Sequence, residues 1–279
     1  KSLLSRHGFQ FSKALGQNFL INPEICPKMA TECGADQTKG VIEVGPGFGV
    51  LTRELAARAN KVVAIELDKR LPAVLAETLR DFDNVKVVQA DIMEVDLHQL
   101  IHDEFSGLDV LVCANLPYYI TSPVIMKLLE EKLPVESLTV MVQKEAAVRI
   151  CAAPGTRACG AVSVAVQYYS QPQILFDVPR DCFFPAPNVD SAVIRLNIRT
   201  EPPVKLETEE KQFFKLVKAA FGQRRKTVLN SLSTGLGKSK EELSAALQQA
   251  GIAPTARAEQ LTMEQFGTLC NLLFPNKAQ

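Results

Sequence analysis

Five short apolar runs punctuate the first half of the chain: VIEV (41–44), VVAIE (62–66), VKVVQ (85–89), VLVCA (110–114) and LTVMV (138–142). They are continuous rather than alternating, so the strands they predict are buried on both faces. Between them apolar residues recur at helical spacing, as in Leu51, Leu55 and Ala59, then Leu71, Leu75 and Leu79. Buried strands separated by amphipathic helices predict a parallel sheet covered on both sides, a doubly wound Rossmann-like α/β domain. Two later runs, QILFDV (173–178) and SAVIRLNI (191–198), predict an antiparallel pair at the sheet edge. EPPV (201–204) then breaks the pattern, and beyond it only helices are predicted, over 208–221, 224–233, 239–250 and 258–272. The proline pair sets the expected boundary between a domain of residues 1–203 and a small all-helical domain of residues 204–279.

Composition and charge narrow the classes without choosing among them. The 279 residues are 47% apolar and 22% charged, enough for a sizeable core and unlike a disordered chain. Lys plus Arg and Asp plus Glu both total 31, so any surface for a polyanion must be a local basic patch. Seven scattered cysteines form no CxxC pair and read as free thiols of a reducing compartment. His98 and His102 stand four apart outside any HExxH pattern; they read as a solvated helix face, and no metal site is expected. No apolar stretch reaches membrane-spanning length and KSLLSRHGFQF lacks a secretory core, so a cytoplasmic protein without a membrane partner is expected. The first residue is Lys1 rather than methionine, which leaves a preceding, removed segment open.

Candidate chemistry sits at the predicted strand ends. VIEVGPGFGVLTREL passes from strand to helix through Gly45, Gly47 and Gly49, where the missing Cβ atoms permit a tight turn and close approach to a ligand. A structural turn explains many such stretches. Glu66, 21 residues after Gly45, ends the next strand where an acid can hold both ribose hydroxyls. Asp91 follows the third strand. The glycines are spaced GxGxG rather than GxGxxG, and no GK[ST] element is present, so neither a dinucleotide nor a nucleoside triphosphate fits well. The ordered series fits S-adenosylmethionine, with glycines by its amino-acid part, Glu66 on the ribose and Asp91 on the adenine amino group.

After the fourth strand comes NLPYYI (115–120). Asn115 and the Leu116 carbonyl can accept N–H bonds from an exocyclic amine, Pro117 stiffens the backbone, and Tyr118 offers a ring face to a flipped purine. Taken alone, a turn with Asn and Pro for geometry and Tyr for packing is the better reading.

The motifs do not stand alone. LGQNFL (15–20), EVGPGFGVLT (43–52), NLPYYITSP (115–123), FFPAPNVDSAV (183–193) and FGQRRKTVLN (221–230) together resemble, in order and spacing, the KsgA family of small-subunit ribosomal RNA adenine dimethyltransferases. The resemblance spans essentially the whole chain. It implies a class I methyltransferase sheet and S-adenosylmethionine as methyl donor. It also implies transfer to N6 of two adjacent adenines near the 3′ end of small-subunit ribosomal RNA, giving N6,N6-dimethyladenosine within an immature subunit late in assembly. A monomer is expected. Gln17, Asn18 and Leu20 would close over the methionine end of the cofactor, and Gly45, Gly47, Glu66, Asp91 and Asn115 would bind the rest. Phe183 would stack on the target adenine opposite Tyr118, with Pro185 and Pro187 keeping its loop extended. The helical domain would grip RNA. There Arg224, Arg225 and Lys226, beside Lys215 and Lys218, form a basic junction, while Phe213, Val217 and Phe221 read as core. Arg6 and Lys13 add positive charge upstream.

Three rivals remain. A large-subunit methyltransferase of the erythromycin-resistance type shares the catalytic layout but fits the FxPxP loop and FGQRRKTVLN less well. A DNA adenine methyltransferase would usually carry proline where this chain has Leu116. A non-catalytic assembly factor would not need intact cofactor residues.

Overall fold

The computed structural model describes residues 18–275. Its first half alternates strand and helix as β1 (Phe19–Leu20), α1 (Ile25–Cys33), β2 (Lys39–Val44), α2 (Val50–Ala56), β3 (Lys61–Glu66), α3 (Leu71–Thr78), β4 (Val85–Gln89), α4 (Leu97–Glu104), β5 (Asp109–Asn115), α5 (Thr121–Glu130) and β6 (Ser137–Gln143). Then come α6 (Lys144–Cys151), α7 (Ala161–Tyr169), β7 (Ser170–Val178), β8 (Phe183–Phe184) and β9 (Ser191–Ile198). The chain closes with α8 (Glu210–Ala220), α9 (Val228–Leu236), α10 (Lys240–Gln249) and α11 (Met263–Leu273).

Seven strands form one sheet in the order β4-β3-β2-β5-β6-β9-β7. β2 pairs in parallel with both β3 and β5, β3 with β4 and β5 with β6, while β9 runs antiparallel to β6. The central strands are buried along nearly their whole length, as their continuous apolar runs require. VKVVQ is the exception. As β4 it forms the sheet edge, and none of its residues is fully buried. The two later runs are neighbours at the opposite edge, as the pattern predicts.

The described chain divides into two compact units. One extends to Ala147 and resumes over Pro172–Ile198; the other takes Val148–Gln171 and everything from Arg199. The expected single boundary near residue 203 therefore misses a crossing. The reason lies in the core of the helical unit, where Val164 and Tyr168 of α7 are buried with Phe213, Leu216, Val228 and Phe266. The Tyr168 and Phe213 rings lie 5.0 Å apart, and the hydroxyls of Tyr168 and Tyr169 both meet the Glu210 carboxylate. Phe213 and Val217 are core residues as expected, and Phe221 packs on Phe266 at a ring distance of 6.0 Å.

Local chemistry sets the helix starts in this unit. Thr227, Ser239 and Thr262 each cap a first turn by accepting a backbone N–H. Because Thr227 is the cap, residues 224–227 form a turn rather than the first turn of a helix. Gly235 lets α9 approach α8 closely, since a Cβ there would lie 2.6 Å from that of Ala219.

Phe213 is fully buried at the centre of the helical unit. Phe213→Ala should therefore cost that unit about 3–5 kcal/mol, from lost transfer energy plus the cavity left behind. Urea unfolding followed by circular dichroism measures this; a loss under ~1 kcal/mol would remove the ring from the centre of the core.

Candidate active site

The sheet reverses its winding between β2 and β5: the chain goes from β2 outward to β3 and β4, then returns to lay β5 on the other side. At such a switch point, the connections leaving adjacent parallel strands diverge and open a crevice at the strands' carboxyl ends. Register decides what lies there. Val44 pairs with Ile65 and with Ala114, so Gly45, Glu66 and Asn115 emerge at one level from three adjacent strands. The Gly45 N–H donates to the Ile65 carbonyl at 2.9 Å, and Ala90, next to Asp91, donates to the Glu66 carbonyl at 3.0 Å.

A cleft occupies this crevice, with an empty volume of about 1240 Å³ including its open mouth. Asn18, Leu20, Gly45, Gly47, Glu66 and Asp91 line it, as do Asn115, Leu116, Pro117, Tyr118 and Phe183. Of the residues predicted for cofactor and base, only Gln17 is missing from this lining, and it lies outside the described residues, as do Arg6 and Lys13. Arg224, Arg225 and Lys226 belong to the helical unit, where they are exposed on the turn between α8 and α9.

Glu66 is nearly buried and accepts the Gly47 N–H at 3.3 Å and the Asp68 N–H at 2.8 Å. Burial pushes its carboxyl above the ordinary range, and these backbone donors pull it back. Asp68, itself buried, is held by the Arg70 guanidinium at 2.6 Å. Gly45 has φ +69°, and the space a Cβ would enter there holds no atom within 4 Å, so its backbone faces open cleft. At Gly47 the Phe19 ring lies 3.4 Å from such a Cβ and stacks on Phe48 at 4.1 Å. Phe19 and Leu20 reach the cleft because β1 pairs antiparallel with β8, setting Leu20 opposite Phe183.

Tyr118 donates to or accepts from the Ser191 hydroxyl at 2.8 Å. Burial raises its phenol above the ordinary value and Asp190 adds to this, while the Ser191 bond lowers it. Cys26 also lines the cleft, but burial drives its thiol up to about 12, so it stays protonated and is no nucleophile. His98 and His102 are exposed, all seven cysteines are free, and no metal-binding cluster occurs among the described residues.

Glu43, given no role above, also lines the cleft. It is 1% exposed, and its Oε2 has no hydrogen-bond partner among the described residues. Burial pushes its carboxyl up to about 8, helped by the charge of Glu66; the nearby Thr52 hydroxyl moderates this without closing a hydrogen bond of good geometry. An acid inside an otherwise apolar strand, two residues before the glycine turn, was the available signal. Among the described residues the lining contains acids but no lysine or arginine, and that donor set suits a ligand carrying positive charge beside a ribose.

A family model described as ribosomal RNA adenine dimethylase matches residues 8–274. The chain belongs to the ribosomal RNA adenine dimethylase family. Membership makes it a methyltransferase of ribosomal RNA, with S-adenosylmethionine as methyl donor. It is 50% identical over 279 residues to ribosomal RNA small subunit methyltransferase A of Geobacillus thermodenitrificans, covering 99% of this chain and 95% of that protein. It is also 50% identical to the protein of that name from Alkaliphilus metalliredigens, covering 96% and 94%. Among solved structures, the 23S rRNA methyltransferase ErmE superposes with a TM-score of 0.68 at 28% identity, covering 92% of this chain and 99% of that one. A dimethyladenosine transferase from Plasmodium falciparum shares the fold, with a TM-score of 0.71 at 24% identity over 90% and 95%.

Glu43 gives this dimethylase cleft a pH signature. From the ordinary carboxylate value of 4.5 up to about 8, the folded chain keeps a proton that the unfolded chain has released. Its contribution should therefore lower stability progressively as pH rises through that window, then level off. Glu43→Gln should flatten this slope, gaining on the parent as pH rises. Denaturant unfolding from pH 5 to 9 without cofactor tests this, and identical slopes would mean the carboxyl is ionised throughout.

Proposed function

We propose that this chain dimethylates N6 of two adjacent adenines in a loop near the 3′ end of small-subunit ribosomal RNA, acting in the cytoplasm on an immature subunit late in assembly. The observation that carries the reading is that Tyr118 and Phe183 line the same cleft as Gly45, Glu66 and Asn115, so a base slot and a nucleoside site share one opening. The 50% identity to small-subunit enzymes, against 28% to ErmE, favours the small-subunit substrate.

In this reading Glu66 accepts the ribose hydroxyls, Asp91 the adenine amino group and Glu43 the amino group of the cofactor's amino-acid part. The bound cofactor supplies an electrophilic methyl on a sulfonium. The target adenine, out of its stack, lies between Tyr118 and Phe183. Its N6 lone pair is delocalised into the ring and is a poor nucleophile. Accepting its N–H bonds at the Asn115 amide oxygen and the Leu116 carbonyl favours pyramidalisation and aims the lone pair. Pro117 holds these two acceptors in place. After transfer the nitrogen is strongly acidic and loses its proton to water, so no general base is required. In the helical unit, Arg224, Arg225 and Lys226 hold RNA phosphates.

Asn115→Ala should keep S-adenosylmethionine affinity within about tenfold of the parent, because Glu66, Asp91 and the glycine turn remain. Single-turnover methylation should fall by about a hundredfold or more as N6 loses its aligning acceptor. Glu66→Ala should do the reverse, weakening S-adenosylmethionine and S-adenosylhomocysteine alike. Calorimetry alongside turnover separates them, and near-normal turnover in Asn115→Ala would sink its assignment.

Replacing Arg224, Arg225 and Lys226 together with Ala should weaken subunit binding and flatten the dependence of log affinity on log salt. Roughly 0.7 to 0.9 units of slope should vanish per lost phosphate contact, up to about 2 or 3 in all. Cofactor affinity should not move. Filter binding over a salt series checks this; an unchanged slope would return these residues to a merely solvated surface.

A further inference from the structure

The FFPAPNVDSAV stretch contributes more than Phe183. Its Asp190 closes the loop that bears this ring, accepting the backbone N–H of Arg180 at 2.9 Å, while its own carbonyl accepts the Lys144 N–H at 3.0 Å. The next residue, Ser191, opens β9 opposite Gln143, is fully buried, and meets the Tyr118 hydroxyl at 2.8 Å. Tyr118 stands on the turn after β5 and is only partly enclosed, so its ring can swing about the Cα–Cβ bond unless its tip is held. A bond at the para hydroxyl, the atom farthest from the backbone, stops that swing most effectively.

We propose that Ser191 is a positioning residue for methyl transfer, holding the Tyr118 ring in place as one wall of the adenine slot. The inference rests on the function proposed above and adds a reason for tyrosine, rather than phenylalanine, at position 118. Stacking needs only a ring face, whereas holding the ring at the slot needs the hydroxyl. Ser191 itself is buried and is not among the residues that line the cleft. Its anchorage is backbone pairing within the sheet, directly beside the residue that closes the Phe183 loop, so both aromatic walls are held from one short segment.

The test compares the full-length parent with Ser191→Ala, Ser191→Thr, Tyr118→Phe and the Ser191→Ala/Tyr118→Phe double variant on small-subunit RNA at saturating S-adenosylmethionine. Ser191→Ala and Tyr118→Phe should each slow single-turnover methylation about tenfold, the worth of one hydrogen bond realised in the transition state. The double variant should be no slower than the slower single variant, because both remove the same bond. Ser191→Thr keeps the hydroxyl and should recover most of the rate. Thermal midpoint and cofactor affinity should stay at parental values in all four, which a general packing defect would not allow. Parental turnover in Ser191→Ala, or multiplicative losses in the double variant, would overturn the inference. A parent that methylates no adenine would instead defeat the proposed function. The bond can still be read without turnover. Phenol ionisation followed at 295 nm, with Tyr118→Phe identifying the relevant transition, should shift to higher pH in Ser191→Ala, since the bond holds that phenol down; an unmoved titration would show that no such bond exists.

Discussion

Everything in the cleft depends on the register of three parallel strands. β2 is hydrogen-bonded to β3 on one side and β5 on the other, and the pairs Val44–Ile65 and Val44–Ala114 set all three ends at one height. Side-chain direction alternates along a strand, so a one-residue slip would turn Glu66 or Asn115 to the other face of the sheet. The strands are buried on both faces, and such a slip would disturb two packed layers at once. Register is thus enforced by the whole core, while the chemistry is confined to the carboxyl ends of the strands and the turns that follow them.

That arrangement places acids where a protein usually avoids them. Glu43, Glu66 and Asp68 are all buried, and the lining holds no basic side chain among the described residues. Backbone donors stabilise Glu66 and the Arg70 guanidinium stabilises Asp68, but Glu43 has one oxygen without a partner among the described residues. A desolvated carboxyl without a cation disfavours its charged form. A cationic ligand entering the cleft would meet this unsatisfied acid, which couples tolerance of the buried charge to occupancy of the site.

Much of this was legible in the sequence because the governing signals are local. Continuous apolar runs marked each central strand to within a residue or two, and the acids and glycines that matter sit at their ends. The rest was not legible for equally physical reasons. β1 and β8 are only two residues each, too short for any periodicity, so the pairing that brings Leu20 opposite Phe183 left no trace. AVSVAVQYY in α7 is apolar enough to suit several partners, and nothing local says that Tyr168 belongs with Phe213. The turn at 224–227 follows from Thr227 acting as a cap, a choice settled by the side chain's bond to the Asn230 N–H. Glu43 was visible as an acid within VIEV, yet its lack of a partner is a property of packing.

The crossing of the chain between the two compact units bears on how the polypeptide emerges during its own synthesis. Neither unit is a continuous stretch: Val148–Gln171 is translated before the segment carrying β7 to β9, yet its partners in the helical core lie beyond Arg199. Val164 and Tyr168 leave the ribosome with no core to enter and must wait for α8 to follow. The parallel strands, in contrast, have all been made by Gln143 and can pair while the rest is still being elongated. Vectorial folding therefore reaches the sheet first and leaves α7 as the exposed apolar segment of the nascent chain, the stretch on which a chaperone would act.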